Sequence, residues 1–233
     1  MSEVVSVRRS PVYRRTNSTT SRLVELNGFM VPLAISEDHL EVAAAGQLAL
    51  FDASWLPRIG FKGKDTITWL TTKGLEIPER PNMLSKIDRG SLIIRLGATE
   101  CLILADPNRF EESSFELVQG LEEGHAETAG METYILPRQD SHCCFVLFGE
   151  VVPQLFSKIC AVDFSAGEFP NHAVAQTIVA RLGAIVIRID SANAMAYLIL
   201  ADSSSAEYLW DCLVDAMDEY SGGLVGLNAV RYS

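Results

Sequence analysis

Residue types able to do chemistry are thinly spread along this 233-residue chain. His142-Cys143-Cys144 is the one local cluster of metal-ligating types, and no C-x-x-C spacing occurs among Cys101, Cys143, Cys144, Cys160 and Cys212. On a strand, consecutive residues point to opposite faces, so Cys143 and Cys144 are not placed to share one ion; one is expected in the core and the other near the surface. His39, His125 and His172 have no partner at ligand spacing, and no metal site is expected. Ser203-Ser204-Ser205 has no neighbouring histidine to activate a hydroxyl and is read as a helix cap. Asp211, Asp215, Asp218 and Glu219 crowd one stretch and are read as a solvated face. The chain has no G-x-G-x-x-G, no G-x-x-x-x-G-K-[ST], no G-x-S-x-G and no H-E-x-x-H. It therefore lacks its own dinucleotide or triphosphate loop, nucleophile elbow and zincin helix.

Composition narrows the classes further. Hydrophobic residues at 48% and charged residues at 21% are ordinary globular usage, which excludes a disordered chain. A formal charge of −11 repels phosphate backbones, so nucleic acid is not an expected partner. No apolar run approaches the roughly 20 residues of a membrane span. An odd cysteine count without small-scaffold spacing points to free thiols and a cytoplasmic location. The charge is unevenly placed: Arg8, Arg9, Arg14, Arg15 and Arg22 face only Glu3, leaving 14 basic against 29 acidic residues beyond position 22. Residues 1–24 are expected to be a flexible basic arm; whether it is a docking segment or a transit peptide stays open.

The elements that must position any site are visible as an internal repeat. Leu102-Ile103-Leu104-Ala105-Asp106 recurs letter for letter as Leu198-Ile199-Leu200-Ala201-Asp202, and Leu92 to Leu96 answers Ile185 to Ile189. Each pair of runs reads as a β-hairpin. A helical pattern follows each hairpin: Phe115, Leu117, Val118 and Leu121, then Tyr208, Leu209, Leu213 and Met217. A strand and a glycine-started helix precede each one, at Phe61-Lys62-Gly63 and at Phe148-Gly149. The expected fold class is α+β, with duplicated strand–helix–hairpin–helix units at 25–125 and 126–233 forming one pseudo-symmetric domain. Residues 37–50 are expected to be helical through Leu40, Ala43, Ala44 and Leu48.

Several stretches resemble the glycine-cleavage T-protein (aminomethyltransferase) superfamily, which binds tetrahydrofolate on a duplicated α+β scaffold. They are Asn27-Gly28-Phe29-Met30-Val31-Pro32, Ala49 to Ser54, Gly63-Lys64-Asp65 and the ending Gly222 to Arg231. In the second half, Lys158 to Asp163, Phe169-Pro170 and Ala175-Gln176-Thr177-Ile178-Val179-Ala180-Arg181 are similar to the γ subunit of heterotetrameric sarcosine oxidase. The resemblance implies the T-protein folate-binding architecture, here lacking the further C-terminal barrel of complete T-proteins.

That resemblance also supplies site residues. The family's catalytic aspartate lies just before the first hairpin, where the nearest candidate is Asp88. Its folate-holding glutamate lies in a G-E-x-G turn; here that turn runs from Asp190 to Met195, and Asn193 offers only a neutral amide. Arg231 closes the resembling C-terminal stretch and is taken with Asn193 on the folate side. The resemblance thus implies a degenerate folate site and a γ-type scaffold subunit of an amine oxidase or demethylase. No cofactor is expected to bind this chain tightly; flavin belongs to larger partner subunits, and tetrahydrofolate stays open as a ligand. The alternatives are a short aminomethyltransferase acting on tetrahydrofolate, with Asp88 orienting the amine, and a folate-binding module without catalysis.

Overall fold

The computed structural model describes residues 7–16, 22–37, 41, 44, 46–87, 90–107, 112–126, 128, 130–191 and 194–232. In chain order the elements are α1 (Tyr13–Thr16), β1 (Arg22–Leu26), β2 (Phe29–Ala34), β3 (Ala49–Asp52), β4 (Arg58–Lys62), α2 (Thr66–Thr72), β5 (Met83–Ile87), β6 (Ser91–Arg95), β7 (Glu100–Ala105) and α3 (Glu112–His125). There follow β8 (Tyr134–Leu136), α4 (Arg138–Ser141), β9 (His142–Phe148), α5 (Val152–Ile159), β10 (Val174–Val179), β11 (Leu182–Arg188), β12 (Ala196–Asp202), α6 (Ala206–Asp218), β13 (Gly223–Leu224) and α7 (Leu227–Tyr232).

The strands form a β1–β2 hairpin and two larger sheets, ordered β5-β6-β7-β4-β8 and β10-β11-β12-β9-β3-β13. The two LILAD runs hold the same place in each. Leu102 pairs with Ile94 and Leu198 with Ile187, so both hairpins keep one register. Period-two alternation then sorts the side chains. Leu102, Leu104, Leu198 and Leu200 join one core shared by both sheets, together with Cys144, Val146 and Phe148 of β9. Ile103 and Cys101 turn outward to a core with Trp69, Leu70 and Leu121 of α2 and α3. Ile199, Cys143 and Phe145 turn outward to a core with α5 and α6. The order of layers is helix, sheet, sheet, helix, which explains why the strands read as continuous apolar runs. Cys143 and Cys144 do face opposite ways, yet both are fully buried; the expected surface cysteine is core, because a helix layer covers the outer face.

A cut at 125/126 does not separate the sheets. β3 precedes that point but pairs with β9, and β8 follows it but pairs with β4. Each exchanged strand enters over a glycine. A Cβ at Gly63 would lie 2.1 Å from the carbonyl oxygen of Glu132, and one at Gly149 would lie 2.1 Å from that of Gln47. Both glycines have positive φ, +147° and +115°, so two independent constraints select glycine at each crossing.

Other expectations are adjusted. The helical lead-in includes Glu41, Ala44, Gly46 and Gln47, but Ala49 and Leu50 already belong to β3. The described part of the arm expected to be flexible lies on the body: Val12 is buried, and Arg8 bridges to Phe29. Arg8 also pairs with Asp140, and Arg15 with Asp211 at 2.7 Å. Tyr208 is 49% exposed, so α6 packs through Leu209, Trp210, Leu213, Ala216 and Met217 instead. The cap ahead of α6 is made by Asp202, whose carboxylate accepts the Ser204 N–H at 2.8 Å, and not by the serine hydroxyls.

Candidate functional site

Asp88 and Asn193 lie outside the described residues, and so does the side chain of Arg231 on α7. What can be built is the frame that flanks them. Asp88 falls between β5 and β6, where the N–H of Asp106 and the hydroxyl of Ser114 both donate to the carbonyl of Gly90 at 2.9 Å. Asn193 falls between β11 and β12, in the stretch of sequence that follows Asp190. Arg188, 6% exposed, grips Asp190 through Nε at 2.9 Å and Nη2 at 2.7 Å, and donates Nη1 to the Phe169 carbonyl at 2.8 Å. This bidentate pair fixes the base of the β11–β12 turn.

The tertiary structure brings these two frames together at His172. The Met83–Ala173 bridge joins the edge of the first sheet to the start of the second. His172 has φ +72° and donates its backbone N–H to the Arg188 carbonyl at 2.9 Å. Burial and the Lys86 ammonium lower its pKa from the ordinary 6.5, against the opposing pull of Asp106 and Asp190. The imidazole is therefore mostly neutral at pH 7 and able to accept a proton. Lys86, Asp106 and Asp190 all act on the charge of His172, and this polar patch between the two frames is the candidate site. None of the four carried a site assignment in the sequence. Asp106 ends a repeat copy and Asp190 opens the suspect turn, but His172 and Lys86 are 86 positions apart and meet only through the bridge.

Other polar stretches prove to be architectural. Arg58, 2% exposed, donates to the carbonyls of Ser54, Leu56, Arg138, Gln139 and His142. Asp52 has its pKa raised by burial, and accepts the Ser54 N–H at 3.0 Å. The same turn recurs at Asp163, which accepts the Ser165 N–H at 2.8 Å, so the D-x-S stretches are turn devices. Gln176, within the motif resembling a γ subunit, donates to Asn82 at 2.8 Å and to the Leu96 carbonyl at 2.7 Å, stitching β10 to the first sheet. His125 bonds the Thr133 carbonyl at 2.8 Å beside Phe61 and Trp69, as a core histidine does. Among the described residues, no group of three or more His, Cys, Asp or Glu side chains could hold a metal ion.

Among solved structures, a chain of the heterotetrameric sarcosine oxidase from Corynebacterium sp. U-96, in complex with pyrrole 2-carboxylate, matches with a TM-score of 0.65 and 18% identity, covering 92% of this chain and 97% of that one. Glycine cleavage system aminomethyltransferase T from Bartonella henselae matches with a TM-score of 0.70 and 15% identity, covering 97% of this chain. The fold is T-protein-like. This T-protein-like chain spans 61% of the aminomethyltransferase it matches. No family model matches the sequence, and no curated protein does. Among the described residues, no helix of the T-protein-like fold is long and apolar enough to cross a membrane.

Proposed function

We propose that this chain is a γ-type subunit of a heteromeric, sarcosine-oxidase-like amine oxidase or demethylase, serving as scaffold and interface. The observation that carries the reading is the fold match, which covers 92% of this chain and 97% of the chain from a heterotetrameric sarcosine oxidase. The shared strand order of the two sheets supports a duplicated unit at the root of the fold. In this reading flavin resides on larger partner chains in the cytoplasm, and this chain binds no cofactor tightly. Asn193 takes the place of the family's folate-holding glutamate, which weakens tetrahydrofolate binding. A second reading, a short aminomethyltransferase with Asp88 orienting the amine, draws support from His172, whose lowered pKa keeps a neutral imidazole at the candidate site.

The test is affinity purification from the native host at moderate ionic strength, followed by mass spectrometry and flavin absorbance. Stoichiometric recovery of a flavin-containing amine oxidase chain, with amine-dependent flavin reduction, is the expected result. A lone chain that transfers a one-carbon unit to tetrahydrofolate, and loses that activity in Asp88→Ala, overturns it.

A further inference from the structure

The described part of the basic arm, residues 7–16, is laid on the body as a peptide is laid in a groove. Its local structure is its own. The Ser10 hydroxyl accepts the Val12 N–H at 3.1 Å, the Tyr13 N–H donates to the Ser10 carbonyl at 3.0 Å, and Pro11 opens the turn that becomes α1. Its other contacts reach distant parts of the chain. The Arg8 N–H donates to the Gly28 carbonyl at 2.7 Å and the Arg8 carbonyl accepts the Met30 N–H at 3.1 Å, a parallel bridge beside β2. The Arg8 guanidinium lies 4.6 Å from the centre of the Phe29 ring and pairs with Asp140 of α4, and Arg15 pairs with Asp211 of α6 at 2.7 Å. Between them Val12, 0% exposed, joins the core outside the second sheet. Ser10 and Thr16 line a small gap with Phe29, Asp52 and Trp55, and the Ser10 hydroxyl hydrogen-bonds the buried Asp52 carboxylate. The segment brings four arginines and no acidic residue, and the groove answers with Asp52, Asp140 and Asp211.

We propose that the body carries a recognition groove for basic peptide segments, that residues 7–16 fill it in cis, and that an arginine-bearing segment of a partner chain displaces the arm to dock there. The seated arm defines the partner's chemistry: an arginine for Asp140 on a backbone edge that bridges to β2, an apolar side chain four positions on, and a second arginine three positions later for Asp211. The arm is held weakly enough to leave. Both ion pairs are exposed, and such pairs contribute little against water. Val12 is its one fully buried apolar side chain. The tether compensates by giving the arm an effective concentration on the order of 1 mM in cis. A displacing segment therefore needs tighter contacts or a second anchorage on the body, so the arm excludes unrelated basic peptides. This inference does not rest on the subunit reading, since it concerns only which segment fills this groove.

The test is fluorescence anisotropy of a labelled peptide with the sequence of residues 7–16, titrated with the full chain as wild type and as Val12→Asp at about 20 mM salt, where screening is weak. A detachable arm carries the new charge out to water, so Val12→Asp should keep a cooperative thermal transition while trypsin cuts after Arg14 and Arg15 faster than in wild type. The variant should bind the peptide at one site, at least about tenfold more tightly than wild type, in which the tethered arm competes. A double variant, Arg8→Ala with Arg15→Ala, leaves Val12 in place and should bind with intermediate affinity. Asp140→Asn and Asp211→Asn, each added to Val12→Asp, should weaken peptide binding about two- to fivefold by removing one exposed charge pair. Raising the salt to about 200 mM should weaken it several-fold. A peptide with the Val12→Asp change should not bind. Loss of the cooperative transition in Val12→Asp would make the arm an integral part of the core and overturn the proposal. Unchanged trypsin cleavage, absence of peptide binding to both arm variants, equal binding by wild type and Val12→Asp, or equal binding of the altered peptide overturns it as well.

Discussion

β4 and β9 hold matching places in the two sheets but start differently: β4 begins on Arg58, which pairs with Leu104, and β9 begins two positions earlier, on His142, which pairs with Asp202. The Arg58 guanidinium is buried and spends all its donors on five carbonyls of the β3–β4 and β8–β9 connections. His142 accepts from Arg138 at Nε2, 2.7 Å away, which leaves its Nδ1–H to donate to Ser141 at 2.8 Å. Burial, then Arg138 and Arg58, lower its pKa to about 4. A second pair diverges in the same way. Arg95 ends β6 by donating to the carbonyls of Gly97, Pro78, Glu79 and Ala98, whereas Arg188 ends β11 on the carboxylate of Asp190. The outer places differ too: β13 covers β3, whereas the edge strand β8 leaves Tyr134 63% exposed. Strand order is common to the two sheets while polar partners are not, so the first sheet uses its arginines as backbone clamps and the second commits one to the rim of the candidate site.

Breaking that comparison starts with Arg58. Arg58→Met should destabilise the chain by about 4 kcal/mol, because buried carbonyls lose charged donors, whereas His142→Gln at the start of β9 should cost about 1 kcal/mol or less. Urea denaturation of both variants checks this, and equal losses would show that the two starts are equivalent after all. Next, Leu102→Ala and Leu198→Ala should each cost about 3 kcal/mol, since both vacate the same inter-sheet core at 0% exposure. A difference of more than about 1 kcal/mol would mean that one copy relaxes around the cavity. Gly63→Ala and Gly149→Ala should each cost at least about 2 kcal/mol, from positive φ and the backbone contact combined. Thermal unfolding of each alone would reveal whether the two crossings are equally strained.

The smallest effect is in pH. His142 has a folded pKa near 4, below the 6.5 of the unfolded chain, so the unfolded state binds more protons between those values. Stability from this group is complete above about pH 6.5 and is lost as pH falls toward 4. Partial exposure of the ring reduces the effect to on the order of 1 kcal/mol. Urea midpoints of the wild type and His142→Gln, taken between pH 4 and 7, should converge at the acid end. Parallel curves would assign the acid sensitivity elsewhere.

Much of the scaffold was legible in one dimension. The LILAD recurrence, the glycines at 63 and 149 and the helix patterns over α2, α3, α5 and α6 mark elements whose signals are local. β8 was missed because three residues carry no period, and β10 because Gln176, Thr177 and Ile178 alternate weakly on an edge strand. The site was less legible. Asp88 and Asn193 came from resemblance, whereas His172 and Lys86 come together only where the edge of one sheet bridges the start of the other.

Sequence by itself determined the two repeated hairpins and the helices that flank them, because hydrophobic period, turn residues and helix ends act over a few positions. It also determined that two stretches of the chain repeat one hairpin in one register. Tertiary structure decided that β3 and β8 exchange sheets, that both cysteines of the His-Cys-Cys run are core, and that the arginines of the arm pair with this chain's own acids. Those outcomes depend on which face of a strand meets which layer and on charges brought close by folding. Sequence spacing does not carry that information, because the interactions fall off over a few ångströms of space and not of chain.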